Sequence, residues 1–102
     1  MRHKPSFSLT PAQVICRCRE EGHRDICAGQ VLALRACMME LDWNISELAD
    51  HSHVSRPMLS ELLAMKKIAT ADVWDPVAEC LGMRLHAFDL LAQHCLDAEL
   101  SL

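Results

Sequence analysis

The sequence predicts an all-α fold, and three observations predict it. Apolar residues recur at i, i+3 and i+4, as at Leu59, Leu62 and Leu63, the spacing of one helix face. Helix start and stop residues punctuate the chain: Thr10-Pro11, Asn44, Ser55, Gly22 and Gly82. No stretch alternates apolar and polar residues with the β-branched content of a strand. Composition agrees: 51% of the 102 residues are hydrophobic, only 4% are aromatic and 3 are Gly, which suits a bundle packed by Leu, Ala, Val and Met.

Residues 1–9 form a polar arm. Its Arg2, His3 and Lys4 could reach a DNA backbone or minor groove. Thr10-Pro11-Ala12-Gln13 then opens a helix with an N-cap, a proline in the first turn and a capping-box Gln. That helix runs to about Glu21 and stops at Gly22, with Val14, Ile15 and Cys18 inward. His23 to Ala28 is a connector, so residues 1–28 form an arm and an added helix, and residues 29–102 form the main domain. Gly29 to Leu41 is the next helix, with Val31, Leu34, Cys37, Met38 and Leu41 inward.

The central stretch runs from Asn44 to Lys67. Asn44 or Ser46 caps a short helix whose inward residues are Leu48 and Ala49. Ser52 to Ser55 is a turn plugged by Val54. Ser55 caps a second short helix, and Pro57 sits in the first turn, where its missing N–H costs nothing. Met65 to Ala69 is a loop. Thr70 can cap the next helix, which stops at Gly82. Pro76 conflicts with a continuous helix there, because an interior proline costs about 3 kcal/mol. The preferred reading starts the regular part at Asp75, with Ala71 to Trp74 as a separate turn. Leu85, Phe88, Leu91, Ala92, Cys95, Leu96 and Leu100 then mark a long last helix.

Two short helices joined by a tight turn, the second presenting its first turn outward, make a tool for the DNA major groove. Residues 34–91 resemble the helix-turn-helix domain of the lambda-repressor and Cro-repressor-like family (the xenobiotic-response-element family). The match is Ser46-Glu47-Leu48-Ala49-Asp50, Val54-Ser55-Arg56, Leu59-Ser60 and Val77-Ala78-Glu79-Cys80-Leu81-Gly82-Met83. The resemblance implies a five-helix core, here with an added N-terminal helix and an extended C-terminal one. It places Ser55, Arg56, Pro57, Ser60 and Glu61 at base-facing positions, and Lys66 and Lys67 near phosphate. Arg56 can give two donors to guanine, Ser60 can bond to a base or a phosphate, Glu61 can accept from cytosine N4, and Pro57 offers apolar contact.

Four departures from the family pattern stand out. Ile45 occupies a slot that often holds a phosphate-touching Gln. This removes one anchor or points to a hydrophobic partner. His53 replaces a turn Gly, and Asp42 replaces a helix-ending Gly. Met38 and Leu63 together replace an inward Arg–Glu pair, an exchange that is often neutral or stabilising.

Charge is uneven around a net −4. Residues 1–35 carry six Lys/Arg against three Asp/Glu, residues 44–67 are neutral, and residues 68–102 carry one Arg against six acids. A positive face on DNA is compatible with this balance, with moderate and salt-sensitive affinity. No apolar run is long enough to span a membrane, and the basic start Met1 to Pro5 lacks the apolar core of a signal peptide. The expectation is a cytoplasmic homodimer, without cofactor, that binds a double-stranded DNA operator as a transcriptional regulator, most simply a repressor. The last helix, from Phe88 to Leu100, is the expected dimer surface, its stripe being too long for one small core. The alternative is an antitoxin-like or complex-assembly module with weak or no DNA binding.

Six cysteines in so short a chain raise two other classes. Cys16, Cys37, Cys80 and Cys95 fall where a helix wants a small apolar residue, which reads as reduced core thiols. Cys16, Cys18, His23 and Cys27 offer four N/S ligands for zinc. On one helix, however, Cys16 and Cys18 point about 200° apart. A thiol enzyme needs a base beside its cysteine, and none of the histidines lies in a recognisable catalytic motif, so no enzyme is expected.

Overall fold

The computed structural model describes residues 5–102. Among them it shows six helices and no strand: α1 (Pro11–Glu20), α2 (Asp25–Leu41), α3 (Ile45–Ser52), α4 (Arg56–Leu63), α5 (Ala71–Cys80) and α6 (Leu85–Leu100). The fold is all-α. Arg2, His3 and Lys4, expected as a DNA-reaching arm, lie outside the described residues.

α2 is the centre. The consecutive residues Val31, Leu32, Ala33 and Leu34 are all buried, and four successive residues sweep about 300° of a helix. A helix apolar on that many sides has to be enclosed. α1, α4 and α6 enclose it, with α6 making the most extensive contact. α3 bridges α4 and α5, and α5 returns to α6. The two helices approach closely at Gly29, where an added Cβ would lie 2.5 Å from the Ala92 carbonyl oxygen and 3.3 Å from the Leu96 Cβ. Glycine there lets the α6 backbone seat directly on α2.

The α1 reading holds in detail. Thr10 and Gln13 form a reciprocal capping box, Val14, Ile15 and Cys18 are buried, and Gly22 turns the chain at φ 77°. The connector does not hold. α2 begins at Asp25, ahead of the expected Gly29, so the boundary at residue 28 falls inside a helix. Arg24 at the N-cap makes no side-chain cap bond, so the usual start signal is absent. Arg19 of α1 instead grips Asp25 with two hydrogen bonds of 2.9 and 3.1 Å, and Ala28 is buried. Part of the arm is also no arm: Phe7 and Leu9 pack against the core, and the Arg35 guanidinium lies 4.4 Å over the Phe7 ring. At the other end of α2, Leu41 is 44% exposed rather than inward.

α5 corrects the reading of Pro76. The helix is continuous from Ala71, with Pro76 inside it. Burial of Trp74, Val77 and Ala78 on one face outweighs the single backbone bond that the proline removes. Thr70 stands at the N-cap, but its hydroxyl donates to the Asp72 carboxylate instead of capping backbone amides.

α6 corrects the expected dimer stripe. Phe88, Ala92 and Leu96 are buried against the rest of the chain. They pack towards α2, where Gly29 lies directly against Ala92 and Leu96 and Gln30 donates to Asp89.

Candidate nucleic-acid interface

The segment from Asn44 to Leu63 is fixed at each corner by a short-range bond. The Asn44 side chain accepts from Glu47 N–H at 2.9 Å, and the Glu47 carboxylate accepts from Asn44 N–H at 3.2 Å. Asn44, not Ser46, is therefore the cap of α3. α3 ends at His53 in the left-handed region, φ 61° and ψ 20°, where a non-glycine residue is uncommon. Asp42 takes the same conformation at the end of α2, φ 56° and ψ 42°. The buried Ser52 hydroxyl accepts from Val54 N–H at 3.2 Å, and the Ser55 hydroxyl accepts from Met58 N–H at 3.4 Å to cap α4.

Leu59, Leu62 and Leu63 bury one face of α4, which turns its first residues outward. Ser55, Arg56, Pro57 and Ser60 are all exposed. Met38 and Leu63 are both buried, at 1% and 6% exposure.

The seven expected contact residues do not form one patch. Arg56, Pro57 and Ser60 share a depression of about 420 Å³ with Ile45. Glu61 is half-buried and pairs with Lys67, Nζ to carboxylate 3.6 Å. Beyond α4, Met65 takes a left-handed turn at φ 58°, and Lys66 and Lys67 both donate backbone N–H to the Glu61 carbonyl. Lys66 is exposed. Lys67 faces a different cleft, lined by Cys27, Gln30, Ile68 and Trp74. The outward group is therefore Ser55, Arg56, Pro57 and Ser60. Glu61 is engaged by a lysine rather than held out for a base.

The structure adds two contributors to the expected contact residues, Ile45 and residues 5–8. Ile45 borders three neighbouring depressions: the one just described, one of about 260 Å³ with Pro5, Ser6 and Arg56, and one of about 370 Å³ with Ser6, Phe7 and Ser60. Residues 5–8 thus run beside the outward turn of α4. The signal was present in the sequence: Phe7 is one of two phenylalanines in the chain, and it stands in a stretch read as polar. Nearby, Trp43 stacks on His51, centroids 4.2 Å apart and planes 5° apart.

The zinc reading is overturned. Cys16 is exposed and bonds to Glu20 at 3.4 Å, whereas Cys18 is buried and donates to the Arg24 carbonyl at 3.2 Å. Among the described residues, no three or more His, Cys, Asp or Glu side chains are placed to hold a metal ion. Cys16 is also corrected as a core thiol. The other five are buried or half-buried.

All six thiols have their pKa pushed up, so they are less acidic than an ordinary cysteine. Burial is the main cause for Cys18, Cys27, Cys37, Cys80 and Cys95, with Cys80 pushed up to about 11, and the Glu20 hydrogen bond is the main cause for Cys16. An activated nucleophile needs the opposite shift. No helix among the described residues is long and apolar enough to cross a membrane. No family model, curated protein or solved structure matches this chain.

Proposed function

We propose that the chain binds double-stranded DNA sequence-specifically through α3, its turn and α4, acting as a helix-turn-helix transcriptional regulator, most simply a repressor. The observation that carries this is the outward first turn of α4. Arg56, Pro57 and Ser60 stand exposed while Leu59, Leu62 and Leu63 anchor the opposite face. A short helix held this way presents base-reading side chains at the depth of a major groove. The resemblance to the lambda-repressor and Cro-repressor-like family supports the same reading. In that geometry a homodimer would set two such helices about 34 Å apart. Leu90 and Leu100, at 62% and 47% exposure, are the large apolar residues of α6 left exposed for a subunit contact.

The test is a mobility-shift selection from random duplexes at low salt. Arg56→Ala is expected to lower discrimination at one base pair by about 1–3 kcal/mol with the melting temperature unchanged. Equal loss on every sequence would reduce Arg56 to a phosphate contact. A second reading, a protein-interaction module with weak or no DNA binding, is favoured by the apolar Ile45 beside Arg56 and by the Glu61–Lys67 pair. Absence of any shift at micromolar protein would select it.

A further inference from the structure

Trp74 of α5 lines a narrow cleft away from the outward turn of α4. Gln30 and Val31 border it from α2, Leu62 from α4, and Lys67 and Ile68 from the connection that follows. About 10 Å³ is open inside, room for one oxygen-sized group. Trp74 is 3% exposed, and its indole N–H is buried without a hydrogen-bond partner in the protein. Buried polar groups are nearly always partnered, so such a donor marks a place where an acceptor belongs. No Asp or Glu lines the cleft. Two acids touch its lining residues, and both are engaged. Asp89 accepts from the Gln30 amide at 3.0 Å, and Glu61 pairs with Lys67 at 3.6 Å. The Lys67 side chain is 52% exposed. An exposed pair of that length contributes little, so Nζ is able to turn to an incoming anion.

We infer that this cleft binds a small aliphatic monocarboxylate, one oxygen of which accepts from the Trp74 indole N–H while Lys67 meets the charge. The opening admits the carboxylate oxygen and keeps the short apolar body at the mouth, beside Ile68, which is 39% exposed. Val31 and Leu62 give the lining the same apolar character. A dianion such as phosphate is a poorer match, because one cation and one donor face two charges. An occupant would touch Leu62 of α4, so it would also bear on the helix proposed to read DNA. The assignment goes beyond DNA binding, and its failure leaves that reading standing.

The experiment follows the two indole N–H signals of the isotope-labelled full chain by NMR as sodium butyrate is added. Trp43→Phe, at a half-buried position, removes one signal and so assigns both. Butyrate is expected to move the Trp74 signal saturably, with a midpoint of about 1–10 mM, and to leave the Trp43 signal in place. Sodium chloride at matched ionic strength and the neutral butyramide are expected to move neither. Lys67→Met is expected to weaken butyrate roughly three- to tenfold at an unchanged melting temperature. A Trp74 signal that stays still up to about 100 mM butyrate assigns the N–H to a fixed water and overturns the inference. Equal movement by chloride makes the effect that of an adventitious ion only. Equal movement by butyramide removes charge from the recognition. Either result overturns the inference. The main titration uses the unaltered chain and does not depend on how a variant folds.

Discussion

The α2–α6 side and the α3–α4 side of the molecule are built to different tolerances. Across α2 and α6, the backbones meet so closely that one position accepts only glycine, and Phe88, Ala92 and Leu34 are fully buried. Across α3 and α4, two eight-residue helices are held by caps, a buried serine and one row of leucines. Their outward turn carries arginine, proline and serine. Helices that short draw their stability from what they pack on. The difference teaches that the first pair is a scaffold, and that the second is an exposed surface on which Ser55 caps a helix while Arg56 and Ser60 lie outside the core.

Substitutions can break or sharpen this contrast. The largest effect is expected at Gly29→Ala, whose new Cβ meets a carbonyl oxygen rather than a flexible side chain. A loss of about 3 kcal/mol is expected in denaturant melts. Pro76→Ala restores a backbone N–H to α5 and should raise stability by about 1–2 kcal/mol, less than the full interior-proline cost because the unfolded chain also gains freedom. In the presented half, His53→Gly relieves a left-handed residue and should add up to about 1 kcal/mol in the same melts. On the proposed DNA-binding reading, affinity for a duplex should not change, and a large change would mean that the imidazole itself touches the ligand.

The smallest effect is expected at the exposed Arg19–Asp25 link. The Arg19 hydrogen bonds hold the Asp25 carboxyl below its ordinary 3.8. A depressed carboxyl contributes stability above its unfolded value and loses that contribution as pH falls through the folded one. Asp25→Asn should therefore melt slightly below the parent at neutral pH. The gap should close as the pH drops under 3.8.

The element order was legible because caps and glycines mark it. Thr10, Asn44 and Ser55 act as N-caps where their types suggest, and Gly22 and Gly82 adopt the positive φ that ends a helix. The misses share one cause: tertiary packing overrode a local signal. Asp25 to Ala28 became helix without a cap because Arg19 and the core hold it. Pro76 stayed within a helix because Trp74 and Val77 are buried on the same face. The α6 stripe looked surplus, yet Phe88, Ala92 and Leu96 are taken up by the core of the same chain. For the site, the outward residues of α4 followed from the leucine spacing. The partnering of Glu61 with Lys67 and the depression beside Ile45 depend on how chain segments meet, which no single-segment pattern reports.

The two tryptophans fall on opposite sides of that divide. Trp74 is sealed in the core at 3% exposure against Phe88, while Trp43 is half-buried and stacked on His51 at the edge of α3. Intrinsic fluorescence therefore contains two separable signals, a blue-shifted one from the interior and a quencher-accessible one at the rim of the presented helices. Loosening confined to the rim should change the second emission and leave the first in place.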